Sequence, residues 1–109
     1  MISHIEANEL FDLYGELLSQ RQQEILSLYF QEDFSLSEIR ENLGISKAAV
    51  YDALSKGIQA MEQYEDKLHL RARERILNAW FADHPECAAL EEALAKAAQS
   101  SASKALEEQ

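Results

Sequence analysis

The stretch Ser35-Leu-Ser-Glu-Ile-Arg-Glu-Asn-Leu-Gly44-Ile-Ser-Lys-Ala-Ala-Val-Tyr-Asp-Ala-Leu-Ser-Lys56 decides the fold. Ser35 followed three residues on by Glu38 is a capping box, so a helix starts there. Ile39 and Leu43 share one face of it at i and i+4. Gly44 supplies the left-handed backbone that ends a helix at little cost. Ile45 is placed to plug the angle, and Ser46 is a good N-cap for a second helix on which Val50 and Leu54 repeat the four-residue spacing. Cap, stop, plug and second cap at these offsets predict a helix-turn-helix over 35–56. The competing reading is a plain helical hairpin with a glycine stop.

Working outward, the apolar positions Leu10, Phe11, Leu13, Tyr14, Leu17 and Leu18 predict an amphipathic helix from about Asn8 to Leu18. Ser19 with Gln22 is a second capping box, opening a helix that carries Ile25, Leu26, Leu28, Tyr29 and Phe30. Gln31 to Phe34 is a short connection without a turn glycine, and Phe34 with Ile39 has the spacing of a hydrophobic staple. Tyr14 and Tyr29 sit on apolar stripes and are expected in the core. Beyond Lys56, Gly57 marks either a helix break or a close approach of another backbone. A long helical region, 58–82, follows, bent or broken between Tyr64 and Leu70. Its apolar residues either pair with a second chain or fold back over the first helices. Pro85 ends it. Residues 1–82 are expected to form one helical domain; 83–109 form an acidic, Ala/Glu-rich helical tail, partly flexible around Gln99–Lys104.

The expected fold class is all-α. The chain has 109 residues with only three Gly and one Pro, and no segment alternates as a strand does. There is no run of about 18 apolar residues, and the N-terminus lacks a signal peptide's basic start and apolar core. Cys87 is the single cysteine, which points to a reducing cytoplasm. His4, His69 and His84 are scattered, His84 and Cys87 find no third ligand, and no nucleophile–base spacing or phosphate loop occurs. No metal, cofactor or catalytic residue is therefore expected, and the chain does not read as an enzyme.

The net charge is −10. The acids lie at the two ends: residues 1–34 sum to −6, 35–57 and 58–82 to zero, and 83–109 to −4. A nucleic-acid reader gains most of its affinity by neutralising phosphates, so the bases must act locally. With Gly44 as the ninth residue of the roughly twenty-residue motif, the positions that meet base edges are Ser46, Lys47, Ala48, Tyr51, Asp52 and Ser55. Lys56 and the cluster Lys67, Arg71, Arg73 and Arg75 are candidate phosphate contacts. Ala48 offers at most a methyl contact, Asp52 is rare at such a face, and Arg40 occupies the fifth position, where a small residue is normal and the side chain must snorkel outward or open the crossing.

Residues 18–39 resemble region four of the RNA polymerase sigma factors. Phe11-Asp-Leu-Tyr14, Leu28-Tyr-Phe-Gln-Glu-Asp-Phe-Ser-Leu-Ser-Glu-Ile39, Ala49-Val-Tyr-Asp52 and Tyr64-Glu-Asp-Lys-Leu68 more closely resemble the YlxM family of small bacterial helix-turn-helix proteins. The resemblance covers roughly residues 8–70. It implies a sigma-region-four-like fold, unrelated to winged helices and often dimeric. It also implies a link to the signal recognition particle, beside whose GTPase the family is encoded. The chain departs from the family pattern at Lys47-Ala48, where Arg-Gln is common, and at Arg40, where Ala is common. Three readings follow. The first is a cytoplasmic regulator engaging nucleic acid, the particle's RNA foremost. The second is an adaptor whose acidic Glu6, Glu9, Asp12 and Glu16 contact a basic partner such as the targeting GTPase. The third, ranked last for its charge and alanines, is a DNA-binding transcription regulator.

Overall fold

The computed structural model describes residues 3–107, with side chains through residue 98. Among the described residues the chain is all-helical: α1 His4–Tyr14, α2 Gln20–Phe30, α3 Leu36–Leu43, α4 Lys47–Leu68, α5 Leu70–Ala82 and α6 Ala88–Glu107, with single 3-10 turns at Gly15–Leu17 and Pro85–Cys87. There is no strand among them and hence no wing. Two compact units result, one ending at Arg71 and the other beginning at Ala72.

In the first unit, polar side chains set the helix starts. Ser19 and Gln22 exchange side-chain and backbone hydrogen bonds at α2, and Ser35 and Glu38 do the same at α3. The Ser35 amide donates to Glu38 Oε1 at 3.0 Å. That bond holds the Glu38 carboxyl below the usual carboxylate range. Ser46 Oγ accepts from the Ala49 amide at 3.1 Å to open α4. Gly44 closes α3 with φ 65°, and the Arg40 carbonyl accepts from the Gly44 and Ile45 amides. The turn between α2 and α3 has no glycine; Asp33 takes the left-handed position there, with φ 59°, a role short polar side chains tolerate.

The core of this unit is built on α4. Its buried residues Val50, Leu54, Gly57 and Met61 fall at i, i+4, i+7 and i+11, one continuous stripe. They meet Leu10 and Tyr14 of α1, Ile25, Leu26 and Phe30 of α2, and Ile39 of α3. Phe34 packs against the same core, beside the Ser35 cap, and Arg40 is solvent-exposed, so it snorkels outward. Gly57 neither breaks the helix nor meets another backbone. α4 runs through it, and what comes close is the Leu26 side chain, whose methyl carbons lie 3.0 and 3.1 Å from where a Cβ at 57 would stand. The first helix also begins earlier than its apolar stripe, at His4, because Ser3 accepts from the Glu6 amide. It ends at Tyr14, so Leu17 lies outside the α-helix and is exposed.

The break in the 58–82 region is at His69, with φ 57°. α5 opens there without a Ser, Thr, Asp or Asn cap of its own. Two groups from earlier in the chain take that role. Glu65 Oε1 accepts from the Arg71 amide at 2.9 Å, and the Tyr14 hydroxyl accepts from the Leu70 amide at 3.1 Å while donating to Glu65 Oε1 at 2.6 Å. Arg71 Nε then donates to Glu9 Oε2 at 2.6 Å. Burial, and then the hydrogen bond to Glu65, push the Tyr14 hydroxyl's pKa up.

In the second unit, Trp80 stacks on His84 at 3.7 Å with 6° between the planes, and His84 Nδ1 lies 2.7 Å from the Trp80 carbonyl oxygen. Ile76, Leu77 and Trp80 of α5 are exposed. The α6 backbone is helical to Glu107, through the 99–104 stretch read as frayed; side chains beyond 98 lie outside the described residues.

Tyr14→Phe removes one hydroxyl and leaves the Leu70 amide and Glu65 short of a partner. The expected cost is about 1–3 kcal/mol, read as a lower urea midpoint at unchanged m-value. A raised phenol pKa stabilises the fold below the unfolded tyrosine value of 10.0 and ceases to do so as pH climbs through the folded value. The wild type's advantage over Tyr14→Phe should therefore hold at neutral pH and shrink above pH 10.0.

Candidate nucleic-acid interface

The candidate reading surface is the outer half of the first three turns of α4. The buried stripe fixes which half that is. At about 100° per residue, Tyr51, Ser55, Ala48, Asp52 and Lys56 fall on the exposed half in that order, and Lys47 stands at its edge beside the buried stripe, exposed because it is the first residue of the helix. Two i,i+4 rows run along it: Lys47, Tyr51, Ser55, and Ala48, Asp52, Lys56. All of these side chains, and Ser46 before them, are exposed.

The charges are partly engaged. Lys56 Nζ lies 3.2 Å from Asp52 Oδ2, with both side chains more than half exposed, a pairing worth little in stability that nonetheless holds a carboxylate beside one of the two lysines. Lys47 Nζ lies 5.8 Å from the centroid of the Tyr51 ring, within cation–π range. The amides of Lys47 and Ala48 are the first two of α4, and such N-terminal amides lack carbonyl partners within their own helix. They add the partial positive charge of the helix terminus next to Lys47. Across the turn, Glu38, Glu41, Phe34 and Asn42 of the α3 side line a shallow depression, acidic ground that repels a phosphate.

The basic residues Lys67, Arg71, Arg73 and Arg75 read from the sequence are divided between the two units. Lys67 is exposed on α4, about 16 Å along the axis from Lys56 and near the same line of the helix. Arg71 is tied to Glu9, its side chain 18% exposed. Arg73 and Arg75 are exposed on the part of α5 that belongs to the second unit. Nothing in the residue order marked the Arg71–Glu9 pair, because the two are far apart in the chain and meet only once α1 packs on α4.

A second surface in the first unit is acidic. A cleft of about 270 Å³ is lined by Glu6, Leu10, Glu62, Glu65, Asp66, His69 and Arg71. Glu6 reaches it from α1, while Asp12 and Glu16, on the same side of the sequence, are exposed. Among the described residues no three His, Cys, Asp or Glu side chains converge as metal ligands, and no helix is long and apolar enough to cross a membrane.

Comparison with known proteins follows the same outline as the geometry. Residues 1–100 match the family described as "Putative helix-turn-helix protein, YlxM / p13 like". The chain is 47% identical over 73 residues to the "UPF0122 protein" of Mycoplasma capricolum subsp. capricolum, a match covering 67% of this chain and 65% of that protein. It is 39% identical over 74 residues to the "UPF0122 protein" of Pediococcus pentosaceus, covering 68% and 66%. It is 37% identical over 92 residues to the "UPF0122 protein" of Streptococcus gordonii, covering 81% and 84%. The chain thus spans about 65% of the length of the first of these relatives. On the family match and these identities, the chain belongs to the YlxM/p13-like UPF0122 family of bacterial helix-turn-helix proteins.

Proposed function

We propose that this protein is a non-enzymatic regulator that engages nucleic acid through α4, and that its ligand is the RNA of the signal recognition particle. The observation that carries the reading is the exposed N-terminal face of α4. There the helix-terminal amides and Lys47 converge next to a row of short polar side chains. A phosphate meets positive charge at that end, and a base edge meets Tyr51, Asp52 and Ser55 farther along. The link to the signal recognition particle rests on the family resemblance. The charge distribution sets the scale: with few cations on the face, the affinity is modest and its dependence on salt shallow.

A second reading is favoured by the acidic cleft of the first unit. A basic segment of the particle's GTPase is the complementary occupant for Glu6, Glu62 and Asp66. A DNA-binding transcription regulator remains the third reading and has the least support, because Asp52 and the α3 carboxylates oppose a duplex backbone.

Replacing Lys47 and Lys56 together by Glu should weaken gel retention of the particle's RNA at least tenfold while leaving the circular dichroism melt unchanged; equal retention across several salt concentrations would count against α4 as the interface. Capture of the targeting GTPase on immobilised protein should be lost after nuclease treatment if RNA is the ligand, whereas capture that survives nuclease transfers the function to the acidic cleft. Homodimerisation is a separate proposal, supported by the exposure of Ile76 (70%), Leu77 (44%) and Trp80 (44%). Light scattering at high micromolar concentration should give twice the monomer mass, and a monomer mass there rules it out.

A further inference from the structure

We infer that the α4 face takes an unpaired base stacked on Tyr51, so that the ligand is a single-stranded or looped segment rather than a continuous duplex. This rests on the nucleic-acid reading above and specifies the class of ligand for the same surface.

The charge inventory of the face is the first step. A protein that holds duplex through its backbone typically neutralises about six to ten phosphates. On the reading half of α4 the basic side chains are Lys47 and Lys56, and Lys56 shares its charge with Asp52 at 3.2 Å. Backbone neutralisation is too small here to dominate, so contacts with bases must supply a larger share. Tyr51 is the one large aromatic side chain on this half of the helix and is 50% exposed. Its neighbours Ala48 at i−3 and Ser55 at i+4 are too short to cover a ring, and Lys47 at i−4 holds its Nζ over the ring at 5.8 Å from the centroid, a spacing that a stacked base would share or displace. In a duplex groove an aromatic side chain reaches only the edges of stacked bases, where its gain is a methyl contact. Against an unpaired base it gains a whole ring face.

Charge placement on the face agrees with this. Asp52, in the middle of the exposed half, repels a phosphate but accepts hydrogen bonds from amino groups on a base edge. Lys47, next to the ring with Nζ 5.8 Å from its centroid, reaches the phosphate attached to a base that stacks there. The middle of the face is thus suited to bases and its N-terminal flank to backbone.

The test uses two fluorescent RNA probes of equal phosphate number, a mixed-sequence single strand and a blunt duplex, followed by anisotropy with the full chain. Wild type should bind the single strand more tightly. Tyr51→Ala should weaken single-strand binding about tenfold and leave duplex binding unchanged, Tyr51→Phe should bind as wild type, and Lys47→Glu should weaken binding to both probes. Tyr51 is exposed, so both variants should melt with the wild type. Stacking is overturned if Tyr51→Ala leaves single-strand binding intact or weakens both probes equally while Lys47→Glu still weakens them. If wild type binds neither probe, the broader nucleic-acid reading falls along with it.

Discussion

The buried stripe of α4 is the constraint on which the rest of the first unit depends. Val50, Leu54, Gly57 and Met61 must all face inward along one 22-residue helix, and helices α1, α2 and α3 pack on that line. Because a helix is rigid in rotation, fixing four inward positions fixes every outward one. The same packing that makes the core therefore presents Ala48, Asp52 and Ser55 to solvent without a separate device to aim them. Gly57 is where this is tightest. The absence of a side chain there lets Leu26, itself completely buried, fill the space against the helix, and a β-carbon would force one of the two to move. The entropic cost of a glycine in mid-helix is offset by that packing.

Much of this frame was legible in the sequence, and the legible part is local. The capping pairs Ser19–Gln22 and Ser35–Glu38, the stop at Gly44 and the cap at Ser46 all act within four residues, so residue type and spacing suffice to read them. Features that depend on distant partners were not legible. At the break at His69, the Tyr14 hydroxyl from α1 holds the Leu70 amide and the nearby Glu65, which in turn holds the Arg71 amide. Gly57 read as either a break or a close approach, and propensity, a local quantity, could not choose between them; its close neighbour is a side chain on α2. Asp33 replaced the missing turn glycine, an exchange that residue type permits but does not announce.

The candidate surface shows the same division more sharply. Its membership follows from the motif's register, since Lys47, Ala48, Tyr51, Asp52, Ser55 and Lys56 are exposed on α4 and Ser46 is exposed at its N-cap. Its electrostatics do not. Lys67, Arg71, Arg73 and Arg75 are dense in sequence, but a helix break and a unit boundary fall among them, which residue order does not announce. Arg71 in particular is held at Glu9 by a 2.6 Å contact with its side chain half-buried, and a charge so held is part of the fold before it is available to a ligand.

The placement of the carboxylates bears on the candidate surface as well. The residues around the Tyr14–Glu65 junction gather carboxylates at the C-terminal end of α4, where Glu62, Glu65 and Asp66 lie with Glu6 along one cleft. Lys47 and the helix-terminal amides lie at the other end, about 28 Å away along the axis from Asp66. This separation exceeds the Debye length of about 8 Å at physiological ionic strength, so the acidic end scarcely lowers the potential at the basic one. The nearer opposition comes from Asp52 on the face itself and from Glu38 and Glu41 across the turn. On the proposed reading, a polyanion would be admitted at the first turn of α4 and opposed by the carboxylates on either side. The proposed stacking on Tyr51 asks no more of this field than that: one or two phosphates held at the N-terminal end, rather than a long backbone laid across the whole motif.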